Sequence, residues 1–194
     1  LYVDHPQNEI IARHVLARRP MSVLEIGAGR GYVLKRIQDE GIVAEGIDFS
    51  THCWLTRAAD SFLKWDLCKT PWPLANKEFD LVFSFDVLDR IPEADLPAVI
   101  AEMERVSRRG LHAIDFGTAI PDSTRCINQP AEWWLQRFAK CVNETQLVHK
   151  AEMEGGGLPA DVLKGDGKVK INCGSFLTMF YRGWLNIDKE ECSK

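Results

Sequence analysis

The hydrophobic positions of this chain alternate between short continuous apolar runs and longer stretches in which apolar residues recur every three or four positions. Continuous runs bounded by turn residues predict buried parallel strands, and the wider spacing predicts helices that pack on one face. The runs predict strands over 22–26, 43–48, 61–66, 79–85, 111–116 and 144–153, with one or two closing strands within 169–187. The wider spacing predicts helices over 8–18, 32–39, 51–59, 94–106 and 129–141.

The alternation of strands and helices predicts an α/β fold with a Rossmann-like, doubly wound, mostly parallel sheet. We expect seven strands, one of them an antiparallel edge strand formed by the closing segment. The chain has 194 residues and shows neither an internal repeat nor a low-complexity tract. It therefore predicts a single domain over residues 1–194.

Composition narrows the classes of function. Hydrophobic residues make up 45% and charged residues 27% of the chain, as in an ordinary globular protein. The net charge of −4 argues against nucleic acid as the main partner. The six cysteines form no Cys-x-x-Cys pair and stand at no ligand spacing from histidine, which predicts no metal site and a reduced, cytoplasmic protein. No apolar stretch approaches the roughly 20 residues of a membrane span.

The first predicted strand ends at Glu25 and is followed by a Gly-x-Gly-x-Gly turn over Gly27, Ala28, Gly29, Arg30 and Gly31. Glycine accepts a positive φ and lets a bound molecule approach the backbone closely. Such a turn at the carboxyl end of a strand is where nucleotide-like cofactors bind in α/β sheets. Asp48 ends the second strand and is placed to hold a ribose.

Four ordered segments of this chain resemble class I S-adenosylmethionine (SAM)-dependent methyltransferases of the broad small-molecule group. They are V-L-E-I-G-A-G-R-G at 23–31, G-I-D-F-S at 46–50, W-D-L at 65–67 and F-D-L-V-F-S-F-D-V-L-D-R-I-P at 79–92. The resemblance implies transfer of a methyl group from SAM to an O, N or C nucleophile of a small-molecule acceptor, with S-adenosylhomocysteine as the product.

The resemblance also implies how SAM is held. The glycine turn contacts the aminocarboxypropyl arm, Glu25 its ammonium, and Asp48 both ribose hydroxyls through charge-assisted bonds. Phe49 packs on the adenine and Asp66 accepts from its exocyclic amine. The cofactor-binding set is completed by the backbone of Leu67 and by two residues at the end of the fourth strand, Phe85 and Asp86. The alternative for Asp48 and Asp66 is a helix or turn cap.

The acceptor side is less defined. Relatives often carry Glu-His where this chain has Asp89-Arg90. Arg90 is no base, and it either clamps an acceptor carboxylate or phosphate or is a solvated arginine at a helix entry. The remaining acceptor candidates are Tyr2 and the adjacent Trp133 and Trp134, of which only one can face the core squarely.

No catalytic residue stands out from the sequence. Three side chains at or near strand ends are candidates for a general base: Asp86, Asp115 and His112. For His112 we favour a buried, hydrogen-bonded role over a catalytic one.

Two alternative functions remain from the sequence. A nicotinamide-dependent dehydrogenase would carry Gly-x-Gly-x-x-Gly, whereas the third glycine here is one place early and Val33 occupies the expected position. A SAM-binding domain that has lost catalysis and serves as a partner or regulator would keep the same cofactor-facing residues.

Overall fold

The computed structural model describes residues 4–116 and 123–150, together with the backbone of residues 170–172 and 185–186. The helices are α1 (Gln7–Leu16), α2 (Tyr32–Asp39), α3 (Thr51–Leu55), α4 (Leu96–Val106) and α5 (Ala131–Phe138), with a 3-10 turn at Leu88–Arg90. The strands are β1 (Ser22–Ile26), β2 (Val43–Asp48), β3 (Phe62–Lys64), β4 (Phe79–Phe85), β5 (Ser107–Ile114), β6 (Glu144–His149), β7 (Lys170–Asn172) and β8 (Leu185–Asn186).

The strands form one sheet in the order β3-β2-β1-β4-β5-β6-β7-β8. Its first six members pair in parallel, which confirms the predicted Rossmann-like α/β fold. Beyond them β7 pairs parallel to β6, and β8 pairs antiparallel to β7. Only five residues of these last two strands are described, so seven full strands with an antiparallel edge stay a prediction.

The strand order places a ligand crevice. The chain runs outward from β1 to β3, then returns to the other side of β1 and continues through β4, β5 and β6. At such a reversal, the loops that leave β1 and β4 diverge to opposite faces of the sheet and open a crevice at the carboxyl ends. The topology therefore predicts a site where β1, β2 and β4 end.

One hydrophobic core packs on each face of the sheet. Successive residues of a strand point to opposite faces, so Val23 and Leu24 enter different cores. Val23 and Leu81 pack with buried residues of α1 and α2. Leu24 and Val82 pack with buried residues of α4 and α5. Helices on both faces make the parallel sheet an interior element and fix the positions of its strand ends.

The third helix is shorter than predicted. We expected it to span 51–59, and it ends at Leu55. The backbone N–H of Ala58, which a longer helix would direct to the carbonyl of Trp54, instead donates to the carbonyl of Arg30 at 2.8 Å. The guanidinium of Arg57 donates to the carbonyl of Trp54 at 2.6 Å. The chain after α3 therefore hydrogen-bonds to the glycine turn, and the predicted last turn of the helix does not form.

Strand β5 begins earlier than predicted, at Ser107 rather than Leu111. Because two of its first residues are arginines, the hydrophobicity pattern does not show where the strand begins. In the structure, Arg109 forms an ion pair with Asp80 of β4 at 2.7 Å. The cross-strand pair allows charged residues to occupy a central strand. The predicted extension of β6 to residue 153 lies outside the described residues.

Candidate active site

The glycine turn joins β1 to α2 and is held in place by β2. Ala28 donates its N–H to the carbonyl of Ile47 at 3.0 Å, and Gly31 donates to the carbonyl of Ala28 at 2.8 Å. Gly27 has a φ of 67°, and a Cβ there would lie 2.4 Å from a methyl of Val87. Glycine is needed at this position both for its backbone conformation and because the chain after β4 passes so close.

Asp48 connects the turn to the end of β2. One carboxylate oxygen accepts from the backbone N–H of Gly29 at 2.9 Å, and the other accepts from that of Ser50 at 2.8 Å. A carboxylate oxygen has two lone pairs, so each oxygen retains capacity for a further donor. The next residue, Phe49, is 74% exposed, which is unusual for an aromatic ring and leaves its face open beside the carboxylate.

Glu25 is a buried carboxyl group beside the same turn. It is 5% exposed, and its Oε2 has no hydrogen-bond partner among the described residues. Burial raises the pKa of Glu25 to about 8, opposed by a backbone hydrogen bond from Leu34 and reinforced by the charge of Asp48. A buried carboxyl without a cation is costly, and an ammonium brought by a ligand would relieve that cost.

Asp66 and Leu67 follow β3 on the outer side of Asp48. One carboxylate oxygen of Asp66 accepts from the backbone N–H of Cys68 at 3.1 Å, so the alternative role as a turn cap is present. The backbone N–H of Trp65 donates to the carbonyl of Asp48 at 3.0 Å and keeps the two acids near each other. Leu67 is 7% exposed and packs into the core.

The end of β4 carries a paired acid. Asp86 adopts a φ of 59°, and its Oδ2 accepts from Arg90 and from Lys150, each at 2.9 Å. Burial would raise the pKa of Asp86, but the hydrogen bonds from Lys150 and Arg90 outweigh it and hold that pKa below its ordinary value. The guanidinium of Arg90 is engaged with Asp86 and Thr124, and its role toward an acceptor stays a prediction. Phe85 is half-buried beside this acid.

A second charged group lies where β5 and β6 end. Arg125 contacts Asp89 at 3.0 Å and also pairs with Asp115, and Asp115 lies 3.6 Å from the Nε2 of His149. The backbone N–H groups of Cys126 and Ile127 donate to the carbonyl of Asp89 and hold Arg125 in place. Burial and the charge of Asp86 raise the pKa of Asp89, while Arg90 and Arg125 oppose the shift.

Sequence reasoning missed Arg125, His149 and Lys150 in this group. His149 and Lys150 follow the apolar end of β6, so their position at a strand end was an available signal. Arg125 directly follows no described strand, and nothing in its neighbourhood marks it in the sequence.

Comparison with known proteins decides the family. A family model described as a methyltransferase domain matches residues 5–147 of this chain. The chain belongs to this methyltransferase family. The resemblance predicted from the four motifs is thereby confirmed, and with it the enzyme class and SAM as cofactor. The match also weighs against the dehydrogenase alternative.

Solved structures share the fold of this methyltransferase at low sequence identity. A SAM-dependent methyltransferase from Archaeoglobus fulgidus is 18% identical, with a TM-score of 0.53 over 68% of this chain and 66% of its own. Magnesium protoporphyrin IX methyltransferase from Synechocystis with bound S-adenosylhomocysteine is 16% identical, with a TM-score of 0.56 over 70% and 72%. A Haloferax volcanii complex between the Trm112 methyltransferase activator and a candidate methyltransferase matches at 21% identity, with a TM-score of 0.58 over 70% and 69%. No curated protein matches the sequence significantly.

In the methyltransferase, the two adjacent tryptophans predicted for the acceptor side, Trp133 and Trp134, differ in burial. Trp134 is 0% exposed and packs in the core beside α4, so burial removes it from the acceptor candidates. Trp133 is only partly buried, and its ring lies 3.6 Å from the guanidinium carbon of Arg137. Only one of the two faces the core squarely, as predicted. Tyr2 lies outside the described residues.

His112 has the structural role that the sequence favoured. It is 1% exposed, its Nδ1 lies 2.9 Å from the hydroxyl of Ser84, and burial lowers its pKa to about 3. The imidazole is therefore neutral. It borders a small cavity with Met103, Phe138 and Thr145, between the sheet and the helices α4 and α5 and away from the strand ends of the site.

Two features are absent from the described residues. They contain no group of three or more histidine, cysteine, aspartate or glutamate side chains placed to hold a metal ion. They also contain no helix with the length and apolar character needed to cross a membrane.

Proposed function

We propose that this methyltransferase transfers the methyl group of SAM to an O, N or C nucleophile of a small-molecule acceptor. The donor would lie across the ends of β1, β2 and β4, within a single domain over residues 1–194 and a sheet of seven full strands with an antiparallel edge. We place the protein in the cytoplasm, in keeping with the free thiols of Cys53, Cys68 and Cys126.

The observation that carries the proposal is the pair of acids at the glycine turn. Glu25 is buried without a cation among the described residues, and Asp48 is fixed by two backbone N–H groups. SAM carries an ammonium for the first acid and ribose hydroxyls for the second. Asp48 keeps acceptor capacity beside its present hydrogen bonds and Glu25 has an unpartnered Oε2, which is what a preformed binding site requires.

The remaining cofactor contacts follow from the same placement. The amino end of α2 and the backbone of Gly27, Ala28, Gly29 and Gly31 favour the carboxylate of SAM. The exposed ring of Phe49 covers one face of the adenine. Asp66 accepts a hydrogen bond from the exocyclic amine of the adenine, and the backbone of Leu67 contacts the edge of the ring. Phe85 and Asp86, at the end of β4, flank the methyl group.

The reaction asks little of the protein beyond placement. SAM supplies a methyl group already activated by its positive sulfur. The enzyme must hold the acceptor nucleophile in line with that methyl group at about 3 Å and keep water away. We assign the acceptor wall to Trp133 and to the chain before α1, which includes Tyr2.

Isothermal titration calorimetry with SAM tests the donor, and mass spectrometry of a metabolite panel tests the reaction. We expect saturable SAM binding and a mass gain of one methyl group in at least one metabolite. Absence of heat at millimolar SAM would contradict the donor assignment. Binding without any methylated product would favour the inactive regulator.

A further inference from the structure

The carboxyl group of Glu25 lies in closely packed surroundings between the sheet and α2. Its neighbour in register on β2 is Gly46, where an added Cβ would lie 2.9 Å from the Cβ of Ala28 and 3.0 Å from a methyl carbon of Leu34. The glycine turn and α2 therefore pack tightly onto the sheet beside Glu25, which is 5% exposed. The carboxyl group is thus largely removed from bulk water.

Within the described part of the chain, Glu25 receives a backbone hydrogen bond but contacts no cation. The backbone N–H of Leu34, in the first turn of α2, donates to its carboxyl group. The Oε2 is buried and has no partner among the described residues. A carboxylate is costly in such surroundings, whereas a neutral carboxyl group avoids most of that cost.

The charged groups on the elements around Glu25 do not neutralise it. On β2, Asp48 adds a second negative charge, and on β4 the neighbour in register is the apolar Phe83. In the glycine turn, the guanidinium of Arg30 donates to the carbonyl of Thr56 at 2.8 Å. The charged residues of α2 pair with one another or with the start of the chain: Lys35 with Asp39, and Arg36 with Asp4 and Glu9.

We propose that Glu25 is protonated in the free enzyme and releases this proton to solvent when SAM binds, so that the donor site exchanges a proton for an ammonium. The inference rests on the proposed function and deepens it, because it states how binding at the same site is regulated. The ammonium keeps its own protons and takes the place of the carboxyl proton beside Glu25. Burial raises the pKa of Glu25 to about 8, in agreement with a neutral carboxyl group at pH 7.

The exchange makes donor affinity depend on pH. Only the ionised fraction of Glu25 is ready for the ammonium, and below pH 8 that fraction rises about tenfold per pH unit, so the apparent dissociation constant falls to the same extent. The ammonium itself stays charged between pH 6 and pH 7, because an α-amino group has a pKa of about 8. Affinity for SAM should therefore rise across this interval.

Isothermal titration calorimetry of the full chain with SAM counts the released proton. Binding at pH 6.5 is measured in phosphate and in imidazole buffer, whose heats of ionisation differ, and the difference in observed heat gives the number of protons. We expect about one proton per SAM bound. Equal heats in the two buffers would overturn the exchange and leave the proposed function intact, because SAM still binds. Absence of binding in both buffers would overturn the proposed function as well.

Substitution assigns the proton to Glu25. Between pH 6 and pH 7 we expect the SAM affinity of the wild type to rise about tenfold and that of Glu25→Gln to change less than about twofold, without proton release. Glu45→Gln is the matched control, because Glu45 is a partly buried acid of β2 whose side chain lies on the opposite face of the sheet. It should behave as the wild type does. Proton release by Glu25→Gln equal to that of the wild type would overturn the assignment.

Truncated ligands test the role of the ammonium in the unaltered protein. S-adenosylhomocysteine keeps the amino and carboxyl groups of SAM, whereas 5′-methylthioadenosine lacks both and keeps the nucleoside and a thioether. We expect S-adenosylhomocysteine to release about one proton and methylthioadenosine none. Equal proton release by the two ligands would show that the proton comes from another group and would overturn the exchange.

Discussion

The two halves of the site treat buried acids in opposite ways. At the cofactor edge, formed by Glu25, the glycine turn and Asp48, the acids are held by backbone N–H groups. At the acceptor edge, formed by the ends of β4, β5 and β6, each acid contacts an arginine, lysine or histidine side chain. A ligand that brings its own positive charges needs uncompensated acids, whereas a neutral acceptor needs a balanced surface. The difference supports the proposal that the cationic donor binds at the cofactor edge.

The difference has a cost in stability at the cofactor edge. The pKa of Glu25 is raised by burial from its ordinary 4.5 to about 8. The native state therefore holds a proton that the unfolded state has already lost between these values. Its stability falls as pH rises through that window. At the acceptor edge the hydrogen bonds from Lys150 and Arg90 offset this cost for Asp86, whereas burial and the charge of Asp86 still raise the pKa of Asp89.

The largest effect is expected from a side chain in the glycine turn. Gly29 has a φ of 55°, and its N–H donates to Asp48. Gly29→Val should abolish SAM binding, because the branched side chain blocks the backbone that the ligand approaches. Gly41→Val is the matched control, since Gly41 also has a positive φ of 79° but nothing within 4 Å of its Cβ. Both variants should lose about 1–2 kcal/mol of stability. Equal SAM affinities measured by calorimetry would contradict the placement.

Asp48→Ala should weaken SAM binding by roughly 100-fold or more. Two charge-assisted bonds to the ribose are lost, at about 1.5 kcal/mol or more each. The backbone N–H groups of Gly29 and Ser50 also lose their acceptor, so Asp48→Asn is the control that retains a side-chain oxygen. Calorimetry should rank wild type, Asp48→Asn and Asp48→Ala in falling affinity. A lower melting temperature with unchanged affinity would make Asp48 a structural cap only.

Glu25→Gln should change stability and binding in opposite directions. SAM affinity should fall by roughly tenfold to 100-fold, for the loss of one charge-assisted bond. The ligand-free variant should melt higher than wild type. The gap should widen by up to about 3 °C per pH unit between pH 5 and pH 8, where the wild-type native state retains its proton. Thermal scans across this range measure it, and a constant gap would show that Glu25 is ionised in the free protein.

Lys150→Met should produce the smallest effect on the donor. It removes one of the two cations on Asp86, and both side chains of the pair are partly exposed, at 23% and 20%. We expect a loss of about 1 kcal/mol in stability, near 3 °C in melting temperature, with SAM affinity within about threefold of wild type. Lys35→Met removes a surface pair with Asp39 and should alter neither property. A drop in affinity as large as for Glu25→Gln would remove the distinction between the two edges.

The two edges also differ in what the sequence reveals of them. The glycine turn, Glu25 and Asp48 lie within a short stretch and each marks the end of an apolar run, so local pattern predicts both the strands and the site. The acceptor edge is assembled from residues 86–150, and its partners meet only after β4, β5 and β6 have paired. Strand β5 shows the same limit. Arg109 interrupts the apolar pattern at its start, and the ion pair with Asp80 that allows an arginine there forms only once β4 and β5 have paired. Trp134 shows it too, since burial depends on which face of α5 meets the sheet.

The most direct test of the central claim is a crystal structure of the full chain with S-adenosylhomocysteine. The account predicts the ribose hydroxyls within about 2.9 Å of the Asp48 carboxylate and the amino group of the ligand beside Glu25. The homocysteine sulfur should point toward the end of β4. A ligand bound elsewhere, with Asp48 and Glu25 in contact only with the protein, would contradict it.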